Sequence, residues 1–98
     1  MARRRIVAGA IGDGEGVFAA ARTLRDAGRE VVLLGGGQSP EQLIRTALAE
    51  DADELVTDAG EHELTRLKAV RTRLGAEHLR LTSVDQAGVT DPTRQSPR

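Results

Sequence analysis

The chain has no cysteine, tryptophan or tyrosine, and Phe18 is its single aromatic residue. The absence of thiols excludes a disulfide scaffold, a cysteine nucleophile and a thiolate metal site. The scarcity of aromatics removes the stacking platforms on which single-stranded nucleic acid is held, and it requires an aliphatic core. Charge bias is missing too, since 14 basic and 15 acidic residues leave a formal net charge of −1 and no global field to draw a polyanion. The one basic run, Arg3-Arg4-Arg5, precedes a predicted strand and reads as a solvated lead-in, with too few neighbours to hold a phosphate backbone. No apolar run approaches the ~20 residues that span a bilayer. Residues 6–11 are also too short and glycine-interrupted for a signal-peptide core. These absences predict a cytoplasmic protein with neither nucleic acid nor membrane as partner.

What is present is enough for one small core: 98 residues, of which 39% are apolar, support a single domain. Short apolar runs alternate with helical patterns, an order that implies a parallel sheet with right-handed crossovers. Residues 6–10 read as a first strand, apolar without alternation and so buried on both faces. Val17, Ala20, Ala21 and Leu24 mark a helix that Gly28 ends. Residues 30–34 form the clearest strand. Ser39-Pro40-Glu41-Gln42 is then a strong helix start, with an N-cap serine, proline at the first helical position and a glutamine placed for a capping box. Leu43, Ile44, Ala47 and Leu48 are its buried stripe, and Asp51-Ala52-Asp53 closes it.

A weak third strand is expected at residues 54–57, a third helix at 61–74 ending at Gly75, and a fourth strand at 78–83 with the polar pattern of a sheet edge. The sheet core is assigned to Ile6, Val7, Val31, Val32, Leu33 and Leu55. The expected fold is α/β, a small doubly wound, flavodoxin-like parallel sheet of about four strands, truncated at its C-terminal side. Residues 1–84 make the domain. Residues 85–98 are polar, carry Pro92 and Pro97 and have no apolar periodicity, which predicts a disordered tail with no fifth strand.

The candidate chemistry gathers in Ile11-Gly12-Asp13-Gly14-Glu15-Gly16, a glycine-rich loop directly after the first strand. Such loops can face a dinucleotide phosphate, but the spacing here is not Gly-x-Gly-x-x-Gly and two acids would repel a diphosphate. A receiver-domain reading lacks the paired acids at the end of the first strand and a late lysine. His62 and His78 have no metal-ligand spacing between them. Ser39 is accounted for as a cap rather than a nucleophile. No catalytic residue and no metal ligand is assigned.

Arg3-Arg4-Arg5-Ile6-Val7-Ala8, Leu24-Arg25-Asp26-Ala27-Gly28, Glu30-Val31 and the run Gln38-Ser39-Pro40-Glu41-Gln42-Leu43 continuing to Asp53 resemble, in order and spacing, the cobalamin-binding domain of acyl-CoA mutases of the methylmalonyl-CoA and isobutyryl-CoA type. In that family the loop reads Asp-x-His-x-x-Gly, and its histidine coordinates cobalt from below. Here Ile11 and Asp13 stand at the aspartate and histidine positions, and only Gly16 keeps the motif. Asp13 is a poor replacement, because sites of this kind favour imidazole and Ile11 cannot orient a ligand. Later checkpoints also depart. Thr57-Asp58-Ala59-Gly60 puts a carboxylate where the family has a small, apolar wall, and Ser83-Val84 replaces paired glycines that let the cofactor's nucleotide tail pass.

The resemblance therefore implies a degenerate cobalamin-binding-domain-like protein, a non-catalytic binding or assembly subunit. The alternative is the small cobalamin-binding subunit of an adenosylcobalamin-dependent acyl-CoA mutase, an isomerase whose acyl-CoA site resides on a separate barrel. If cobalamin is held, it is held without a histidine ligand, against Gly12, Asp13, Gly14, Gly16 and Ser83. The expected partner is a second copy of the chain or a mutase-like large subunit, meeting Leu79, Leu81 and the stripe Leu64, Leu67, Val70 and Leu74, with burial in the chain's own core an equal alternative for the helix stripe.

Overall fold

The computed structural model describes residues 5–84. The element order is β1 (Arg5–Ala8), α1 (Glu15–Asp26), β2 (Glu30–Leu33), α2 (Pro40–Ala49), β3 (Glu54–Thr57), α3 (Glu61–Arg73) and β4 (Arg80–Ser83). All pairings in the sheet are parallel, and the strand order is β2-β1-β3-β4. The predicted α/β, doubly wound parallel sheet of about four strands is the observed architecture. The expectation of a disordered tail without a fifth strand concerns residues 85–98, which lie outside the described residues, as do Arg3 and Arg4.

Alternating strand residues feed two cores. Val7 and Leu55 point to the face covered by α2 and α3, where they pack with Leu43, Ile44, Leu67 and Leu79. Ile6, Ala8 and Val56 point to the opposite face and meet Val17, Ala20, Ala21 and Leu24 of α1. The small residues of α1 let that helix lie close against the sheet, and the larger aliphatics stand on the other side. Burying each of those Leu and Ile side chains contributes roughly 1.5–3 kcal/mol.

The sheet order corrects part of the predicted core. Ile6, Val7 and Leu55 are fully buried, but Val31, Val32 and Leu33 are only partly so, because β2 is an edge strand. β3, the faintest strand by pattern, is central and buried at every position. β1 also ends at Ala8, two residues earlier than predicted, with Gly9 and Ala10 already in the loop.

Local signals act as expected at the helix ends. Ser39 Oγ accepts from Gln42 N–H at 3.1 Å, and Gln42 Oε1 accepts from Ser39 N–H at 2.8 Å, completing the capping box. Gly28 and Gly75 adopt left-handed backbone after α1 and α3. Arg5 fastens the bottom of the sheet, pairing with Glu30 at 2.9 Å and donating to the Glu50 carbonyl at 2.9 Å. On the α1 face, buried Thr82 Oγ1 donates to Glu54 Oε2 at 2.6 Å and ties β4 to β3.

The residues expected at a partner contact are largely used within the chain. Leu67 and Leu79 are buried in its own core, and Leu64, Val70, Leu74 and Leu81 are partly buried against the same cluster.

Candidate functional site

In an open parallel sheet, ligands bind outside the carboxyl ends of the strands where the strand order reverses. Here the reversal lies between β1 and β3, since β1 connects outward to β2 while the chain returns across it to β3. The β1–α1 loop, the β2–α2 loop and the β3–α3 turn meet at that end. The predicted residues Gly12, Asp13, Gly14 and Gly16 follow the carboxyl end of β1 and Ser83 is the last residue of β4, so all five share this end of the sheet.

The β1–α1 loop is closed over this reversal point. Ile11 N–H donates to Asp58 Oδ1 at 2.9 Å and Gly12 N–H donates to Asp58 Oδ2 at 3.1 Å, so one carboxylate holds two successive amides. A Cβ at Gly12 would stand 2.8 Å from Asp58 Oδ2, so a larger residue there would push the carboxylate aside. On its other side the loop is joined to the β2–α2 loop: Gly37 N–H donates to Gly12 O and Gln38 N–H to Ala10 O, both at 2.9 Å. Gly36 sits so near that an added Cβ would collide with the Gly12 carbonyl oxygen and the Asp13 backbone.

Asp13 is exposed, and its Oδ1 accepts from Glu15 N–H at 3.0 Å, so its carboxylate satisfies a free amide at the start of α1. Gly14 is the N-cap itself, at a left-handed φ of 95°. Gly16 lies in the first turn of α1, and the nearest side-chain atom to a Cβ built on it would be Val84 Cγ2 at 3.7 Å. Ser83 ends β4 opposite Thr57, and Val84 N–H donates to Thr57 O at 3.0 Å. Val84 packs partly buried against the α1-side core. The structure thus brings Gly12, Asp13 and Gly14 together in one loop, with Gly16 and the β4 end linked through Val84.

His62 lies exposed in the first turn of α3 and His78 exposed in the turn before β4, at opposite ends of the sheet. Among the described residues no group of three or more His, Cys, Asp or Glu side chains could hold a metal ion. The three loops at the reversal point contain Asp13 and Asp58 but no lysine or arginine. Among the described residues, no helix is long and apolar enough to cross a membrane.

Two features of the site escaped sequence reasoning. Asp58 stood out as a carboxylate in an unusual place, but its bond to a loop 46 or 47 residues away has no local signal. Gly36 was one of three adjacent glycines, and only the fold shows that it, rather than Gly35, faces the β1–α1 loop.

The chain is 46% identical over 44 residues to the 2-hydroxyisobutanoyl-CoA mutase small subunit of Aquincola tertiaricarbonis. That stretch is 45% of this chain and 32% of the relative, so the match spans about a third of the relative's length. The chain is a partial homologue of that mutase small subunit. No family model matches the sequence. Among solved structures, a de novo designed Rossmann-fold protein superposes with a TM-score of 0.52 at 24% identity, over 93% of this chain and 89% of the design, a likeness of fold alone.

Proposed function

We propose that this chain is a degenerate relative of cobalamin-binding mutase subunits that serves as a non-catalytic binding or assembly subunit. One observation carries the reading: the loop that would present a cobalt ligand is folded down on Asp58. The residues present do not fit histidine-ligated cobalamin. Asp13 is turned to the Glu15 amide, no imidazole belongs to the loop, and Val17, Ala20, Ala21 and Val56 fill the space between α1 and the sheet. Val84 adds bulk beside Gly16, where the resemblance calls for glycine.

The second reading, a small cobalamin-binding subunit of an acyl-CoA mutase, is favoured by the identity with the Aquincola mutase small subunit. On either reading the chain acts in the cytoplasm with a protein partner, a mutase-like large subunit or a second copy of itself. Incubation with hydroxocobalamin followed by gel filtration and visible absorption separates the two. No cobalamin should travel with the protein on the first reading, whereas retained cobalamin lacking a protein imidazole would favour the second. Retained cob(II)alamin whose electron paramagnetic resonance shows nitrogen splitting from a protein histidine would overturn the proposal.

A further inference from the structure

The backbone at the sheet's reversal point is almost wholly consumed by the chain itself. Gly9 N–H donates to Val56 O at 3.0 Å, Ile11 and Gly12 N–H donate to Asp58, and the carbonyls of Ala10 and Gly12 accept from Gln38 and Gly37. Any molecule entering the crevice between β1 and β3 must first release some of these groups. The contact of highest leverage is Asp58. A carboxylate accepting from two backbone amides forms charge-assisted bonds, about twice as strong as neutral ones. It is also the one member of the set that can leave by side-chain rotation, without moving a strand.

We propose that Asp58 is a latch: it occupies the ligand position at the reversal point, and its departure opens the β1–α1 and β2–α2 loops together. Both loops loosen together because Gly12 lies in both contacts, taking Asp58 on its N–H and Gly37 on its carbonyl, and a Gly12 released from Asp58 no longer holds its carbonyl against Gly37. Gly36, pressed against Gly12 and Asp13, transmits the same coupling through steric contact. The core does not share in the opening, since Val7, Leu55 and Leu43 are held by burial on the α2 face. The inference goes beyond the functional reading above and does not depend on cobalamin.

Amide hydrogen exchange followed by NMR on the full chain tests it, comparing the wild type with Asp58→Ala and Asp58→Asn. Both variants should lose protection at Ile11, Gly12, Gly37 and Gln38 together, by about tenfold or more, the size expected when hydrogen bonds to a charged group are lost. Amides of β1, β3 and α2 should keep their wild-type rates. Faster exchange at Ile11 and Gly12 alone would overturn the proposal, because the loops would then be uncoupled. A uniform rise across strands and helices, or failure of both variants to fold, would equally overturn it and make Asp58 a structural residue. Since no ligand is present, these outcomes are distinct from the cobalamin experiment.

Discussion

Asp58 and Ile11 lie 47 positions apart and are joined at 2.9 Å, the carboxylate at the end of β3 accepting the amide that follows β1. This bond sets the character of the site. It converts a loop that could present a ligand into one that is ligated from within, and it does so across the boundary where parallel sheets ordinarily open to their substrates.

Gly36 and Gly35 provide a matched pair. A Cβ at Gly36 would strike the Gly12 carbonyl, whereas a Cβ at Gly35 meets nothing within 4 Å. Gly36→Ala should lower stability by about 1–3 kcal/mol through forced displacement of the loop. Gly35→Ala should stay within about 0.5 kcal/mol of wild type. Denaturant midpoints of the two variants check the contrast.

The capping box of α2 should be measurable in isolation. Ser39→Ala removes the acceptor for Gln42 N–H and should destabilise by about 1 kcal/mol in urea unfolding, with an unchanged m-value.

Position within the sheet should outweigh side-chain type in core truncations. Val7, fully buried on the inner strand β1, should lose about 1.5–3 kcal/mol on truncation to alanine. Val32→Ala, on the half-buried edge strand, should cost roughly 1 kcal/mol or less. Equal losses would contradict the assigned strand order.

Installing a cobalt-ligand motif should not confer cobalamin binding. Ile11→Asp with Asp13→His gives the loop the Asp-x-His-x-x-Gly pattern of the domains the sequence resembles, yet Asp58 and Val84 remain, so hydroxocobalamin should not coelute on gel filtration. Adduct formation by the double variant, seen as a shifted visible spectrum, would show that the closed loop is no obstacle.

Glu41 should contribute a pH-dependent component. Hydrogen bonds from Arg45 and then Arg73 hold its carboxyl below the ordinary glutamate value. A carboxyl lowered in the folded state adds stability that is complete above its unfolded value and is lost as pH falls through its folded value. The stabilisation is therefore present at neutral pH and disappears in acid, below the usual glutamate range. Because the group is exposed the effect is small and screened by salt. Glu41→Gln should flatten that part of the acid limb in low-salt denaturation and leave the rest unchanged.

Much of this protein is written locally. The capping box of α2, the glycines after α1 and α3 and the period of the helical stripes depend on residues within a few positions of one another. Elements built on them are therefore legible from the chain alone. The four-stranded parallel architecture follows from the same reading, since alternating strands and helices leave few ways to cover a sheet. The loop carrying Gly12, Asp13 and Gly14 was also identifiable, because it follows the first strand.

Only the tertiary structure decided which strand is central and what the loop holds. Residues 30–34 carry the strongest strand pattern, yet β2 stands at an edge, and the faint β3 is enclosed between β1 and β4. Apolar pattern reports what a strand can bury, while strand order is set by how the helices pack across the sheet. Asp58 reaches Ile11 and Gly12 for the same reason: parallel pairing of β1 with β3 aligns their carboxyl ends. The chain by itself determined a small α/β domain with a glycine-rich loop after its first strand. The folded chain decided that Asp58 holds that loop, because long-range contacts arise from strand pairing and leave no periodic trace in the sequence.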